Sequence, residues 1–150
     1  LAAQILAASA IRKKGTVRGI IYSSGSPLVS DWMYDEEMAR RFLLHYVGGG
    51  TDYPFDLLKK FAKERSDVIR VIISDSDFLS NIQGQGAMEK LIFGVSQSKL
   101  LVAFLAVADA QARQVLAPAL KFPKFHLAVV SNLNAFAAAA AALADAILPG

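Results

Sequence analysis

Hydroxyl and carboxylate side chains gather in two short segments of this sequence. One is Gly48-Gly49-Gly50-Thr51-Asp52; the other is Ser74-Asp75-Ser76-Asp77. A helical pattern over 53–66 and an apolar run over 68–73 separate them, so Thr51 opens a helix and Asp75 closes a strand. In an open α/β sheet, ligands bind outside the carboxyl ends of the strands, where loops of neighbouring units meet. A hydroxyl and a carboxylate there suit Mg2+ or Mn2+, hard ions that take oxygen ligands and keep several waters. Thr51 and Asp75 are therefore the candidate metal ligands. Asp52, Asp77 and Gly50 are candidates to line the space around them. The ordinary alternative for all four polar residues is capping, Thr51 and Asp52 at a helix start and Asp75 and Asp77 in the loop after the strand. Capping and metal binding are compatible.

The elements that must hold these residues follow from periodicity. Leu1, Ile5 and Ala8 recur at helical spacing up to Gly15, a suitable residue just past a helix. Val17, Ile20, Ile21 and Tyr22 favour a strand over 16–23. The turn Ser24-Gly25-Ser26-Pro27 then returns the chain through 28–33 as a hairpin, placing one antiparallel strand at the edge of an otherwise parallel sheet. Asp35-Glu36-Glu37 suits a helix N-terminus, and Met38, Phe42, Leu43 and Tyr46 continue that helix toward the glycines. Three glycines serve either as a flexible link or as a place of close backbone approach. The 68–73 run is almost continuously apolar, as expected of a central strand buried on both faces. After a loop carrying Gly84 and Gly86, the pattern reads helix 87–96, strand 100–107, helix 109–120, strand 125–130 and helix 135–148. Such alternation predicts an α/β fold: a doubly wound, mostly parallel Rossmann-like sheet with one antiparallel edge strand and helices on both faces, as one domain over 1–150.

Composition narrows the function classes. With 54% hydrophobic and 19% charged residues in 150, the chain can bury a substantial core and is not disordered. Its net charge of +3 comes from groups such as Arg12-Lys13-Lys14 and Lys59-Lys60, each flanked by apolar helix residues. Those are solvated helix faces, not an aromatic-interleaved nucleic-acid surface. The absence of cysteine removes disulfides and thiolate zinc sites and suits the cytoplasm. The apolar stretch 135–148 carries Asp145 and falls short of the roughly 20 residues of a membrane span. It and 100–108 read as a buried helix and a buried strand. His45 and His126 have no neighbours at metal-ligand spacing and read as structural.

The Gly-Gly-Gly-Thr-Asp turn, the helix after it, and an apolar strand ending in Ser74-Asp75-Ser76 together resemble two of the three metal-site segments of von Willebrand factor type A domains. Thr51 matches that family's threonine and Asp75 its metal-site aspartate. The resemblance implies a non-enzymatic module that coordinates Mg2+ or Mn2+ and takes a carboxylate from a protein partner. It also implies a setting beside an AAA-type ATPase or in a metal-insertion complex. The family's third segment, Asp-x-Ser-x-Ser after the first core strand, is absent, because Ser23-Ser24-Gly25-Ser26 has neither the leading Asp nor the right place in the order. The chain accordingly reads as an N-terminally incomplete domain whose upstream residues supply a core strand between the hairpin and the 68–73 strand. On this reading the 150 residues alone bind Mg2+ weakly or not at all.

A rival belongs to another class. Asp75-Ser76-Asp77 after an apolar strand also resembles the Asp-x-Asp motif of haloacid-dehalogenase-type phosphatases, with Asp75 as nucleophile and Asp77 as acid/base. Such enzymes also need a basic residue and further acids from later strand ends. Here those ends offer Asp109 and the acid-free Ser131-Asn132.

Overall fold

Seven apolar residues in a row cannot alternate wet and dry faces, so the 100–106 segment has to be covered on both sides. In the computed structural model, which describes residues 2–23, 26–44 and 52–148 apart from the side chain of Leu133, it is. Leu101, Val102, Ala103, Phe104 and Leu105 of strand β4 (Leu100–Ala106) are at most 1% exposed. At about 1.5–3 kcal/mol for each large side chain fully buried, this strand is a dense source of hydrophobic stabilisation among the described residues. The fold is mixed α/β and divides into two compact units, Asp52–Leu133, and Leu1–Thr51 with Asn134–Gly150.

The Asp52–Leu133 unit is built on three parallel strands in the order β3 (Ile69–Asp75), β4, β5 (Phe125–Val130). Register aligns their carboxyl ends: Asp75 lies beside Ala106, and Ala106 beside Val130. The expected central strand is therefore β4, and the 68–73 run forms an edge strand of this sheet. In keeping with an edge position, β3 carries Arg70 within its apolar run and only its Ile72 is buried. On one face of β4, Leu101, Ala103 and Leu105 join Phe78, Leu79, Leu91, Val95 and Leu116 in a single apolar cluster. Helix α3 (Phe55–Glu64) packs along α5 (Ala87–Ser96). Gly94 permits this approach: a Cβ there would meet Leu58 Cγ at 3.1 Å. Gly86 precedes α5 in the left-handed region at φ 75°, a conformation that glycine adopts without strain.

Two further helices depart from the sequence reading. Helix α4 (Ser76–Asn81) follows β3 without a loop and buries Phe78 and Leu79. The single helix expected over 109–120 is broken into α6 (Asp109–Val115) and α7 (Ala117–Leu120). Pro118 lies in the first turn of α7; in the interior of one longer helix it would delete a backbone hydrogen bond and clash with the preceding turn.

The other unit holds α1 (Ala2–Arg12), the antiparallel pair β1 (Ile20–Ile21) and β2 (Leu28–Val29), α2 (Glu36–Leu43) and α8 (Phe136–Ile147). Helix α1 packs on both α2 and α8. The hairpin forms as expected, but as a separate two-stranded sheet and not as an edge of the parallel one. At Ser30 the pairing is half side chain: the Ser30 N–H donates to the Gly19 carbonyl at 2.9 Å, but the Gly19 N–H donates to Ser30 Oγ at 2.8 Å and Arg18 Nε donates to the Ser30 carbonyl at 3.0 Å. Farther along, Val17 and Met33 exchange two backbone hydrogen bonds as an isolated antiparallel bridge. Helix α8 buries Ala140, Leu143 and Ala144 and leaves other residues wet, so it is a one-faced helix where a buried one was expected. Among the described residues no helix is long and apolar enough to cross a membrane.

Candidate functional site

Because the three parallel strands end level, the residues that follow them share one edge of the sheet. Asp75 ends β3 in extended backbone and serves as N-cap of α4, its Oδ1 accepting the Asp77 N–H at 2.9 Å. The capping expected of Asp75 is thus present, directed at a helix and not at a loop. Asp77 sits in the first turn of α4, where a negative charge offsets exposed backbone N–H groups. Both carboxylates are exposed. At the neighbouring strand end, Asp109 opens α6 and accepts from Arg113 Nε at 2.9 Å. Ser131 and Asn132 follow β5 and are exposed.

Asp52 approaches from another direction. The N–H of the next residue, Tyr53, donates to Asn81 Oδ1 at 2.9 Å. The Tyr53 ring lies edge-on to Phe55 and Phe78, with centroids 4.7 and 5.3 Å away. Asn81 is the last residue of α4 and Asp75 caps its start. Six residues of helix rise about 9 Å. The segment that begins at Asp52 is therefore anchored at the opposite end of α4 from Asp75. Thr51 and Gly50, the other half of the expected site, lie outside the described residues, as does His45. His126 is exposed on β5.

As a cation site, these residues match in chemistry and fall short in number. Asp75 and Asp77 are hard oxygen donors, but one oxygen of Asp75 is occupied as a cap, and among the described residues no group of three or more potential metal-ligating side chains comes together. An octahedral ion that dehydrates reluctantly gains little from so few ligands.

The sequence reading missed Arg70, the one charged residue inside the 68–73 apolar run. Its guanidinium, half-buried, donates to the carbonyls of Gln97 (2.7 Å), Phe61 (3.1 Å) and Arg65 (2.6 Å) and to Ser98 Oγ (2.8 Å). Burial pulls its pKa below the ordinary arginine value. Arg65 and Gln97 are the C-caps of α3 and α5, where end carbonyls lack helical partners; the Phe61 carbonyl also accepts the Arg65 N–H, and Ser98 follows Gln97. Through Nη1 and Nη2, Arg70 thus ties two helices to the sheet. A cation in an otherwise apolar strand was the signal available in the sequence.

A shallow groove of about 280 Å³ is lined by Lys59, Gly86, Glu89, Lys90 and Phe93. Of its charged residues, Lys90 is paired, its Nζ lying 2.6 Å from Asp56 Oδ1.

Comparison with known proteins adds no family. No protein-family model, curated protein or solved structure matches the chain.

Proposed function

We propose that this chain is a non-enzymatic protein-binding module laid out like a von Willebrand factor type A domain. The observation that carries the reading is the level carboxyl edge of β3, β4 and β5, at which Asp75 and Asp77 stand exposed. Partner recognition would occur there, in the position where open α/β sheets bind ligands. Burial of β4 on both faces supports the finer fold assignment, a doubly wound Rossmann-like sheet with helices on both sides. The ion would be Mg2+ or Mn2+ and the partner group a carboxylate. Thr51 and Asp75 would be the ligands this chain supplies, and binding to these 150 residues alone would be weak. A cytoplasmic partner such as an AAA-type ATPase or a metal-insertion complex belongs to the same proposal, which rests there on the resemblance and on the lack of cysteine.

The test is direct. Mn2+ binding is followed by electron paramagnetic resonance for the wild type and Asp75→Asn, and partner recovery is compared in Mg2+ and in EDTA. Recovery that is equal in both, together with Mn2+ binding unaffected by Asp75→Asn, would remove the metal bridge. The phosphatase reading has less support, because Asp75 is engaged as a cap and Asp109, the acid at the next strand end, is paired with Arg113. Mg2+-dependent hydrolysis of a generic phosphate ester, lost in Asp75→Asn, would revive it.

A further inference from the structure

We draw no further inference here: the strongest candidate, the run of exposed apolar side chains from Leu28 and Val29 of β2 through Tyr34 to Met38 of α2, is a surface for which nothing in the structure shows what covers it.

Discussion

Leu105 and Leu28 are both leucines in strands with apolar neighbours, yet Leu105 in β4 is fully buried and Leu28 in β2 is 41% exposed. The difference lies in what each strand is paired with. β4 has a strand on either side and five successive residues withdrawn from water, whereas β2 pairs with β1 alone over two residues. A two-stranded hairpin is marginal by itself and depends on packing from one face. Near it, buried Ala7, Met33 and Ala39 form a cluster with half-buried Ile11, Val17, Phe42 and Leu43. Apolar content thus fails to distinguish the two regions, and strand neighbours do.

The largest effect should come from cutting into the parallel sheet. Leu105→Ala is expected to cost about 2–5 kcal/mol, the range for a fully buried leucine whose cavity relaxes only in part. Leu28→Ala, by contrast, should stay within about 0.5 kcal/mol. Urea unfolding of both variants decides the matter. Equal losses would break the contrast between the two sheets.

This contrast also explains what could be read beforehand. Residues 100–106 and 125–130 declared themselves as strands because near-continuous apolar runs have few alternatives, and α5 matched its expected span of 87–96. The place of β3 did not follow from its own sequence, since central or edge position is a property of neighbours. The order of strands is a long-range fact. Helix α4 was missed for a local reason: at six residues it is shorter than helical periodicity can reveal, although Asp75 followed by Phe78, Leu79 and Ile82 has the form of a cap and an apolar face. That miss bears on the site. Once α4 is present, Asp75 caps its start and Asn81 at its end accepts the Tyr53 N–H.

Arg70 sharpens the comparison from the amino-terminal part of β3. Arg70→Met keeps the apolar stem and removes the guanidinium, taking its hydrogen bonds from three carbonyls, of which that of Phe61 keeps the Arg65 N–H, and from Ser98 Oγ. A loss of about 2–3 kcal/mol is expected, in line with charge-assisted hydrogen bonds in a half-buried setting. Arg70→Lys should recover less than half of it, because one ammonium cannot span acceptors arranged for a planar fork. Thermal unfolding would measure both. A loss below about 0.5 kcal/mol for Arg70→Met would mean that water replaces the guanidinium and that the two helix ends do not depend on it.

Asp75 allows the structural and functional roles at the carboxyl edge to be separated. Asp75→Ala removes the cap of α4 and should cost about 1 kcal/mol, whereas Asp75→Asn keeps an equivalent acceptor and should be nearly neutral in stability. If the residue is only a cap, Asp75→Asn leaves every property in place. Retained stability together with lost Mn2+ binding is the outcome expected of a ligand. Calorimetry alongside the Mn2+ titration would tell these apart.

The smallest expected effect is electrostatic and contrasts one carboxylate from each unit. The Asp56 carboxyl, hydrogen-bonded to Lys90 and further held by the charges of Lys90 and Lys59, titrates below the ordinary aspartate range. Glu37 is likewise lowered, first by its hydrogen bond to Arg40 and then by the Arg40 charge and by Arg41. In both cases the folded pKa lies below the unfolded one. The associated stability is therefore present above the ordinary carboxylate pKa of about 4 and is lost as pH falls through the depressed folded value. Both groups are exposed, so the contribution is small and screened by salt. The consequences of removal differ because Asp56 and Lys90 join α3 to α5, whereas Glu37 and Arg40 lie within α2. Asp56→Asn should accelerate amide exchange along α3 as well as flatten the acid limb of the unfolding curve, and Glu37→Gln should act on α2 alone. Carboxyl 13C titration at low and high salt, run with exchange measurements on the two variants, checks each part. An Asp56 carboxyl that titrates normally at low salt and does not respond to Lys90→Met would show that this pair does not link the helices in solution.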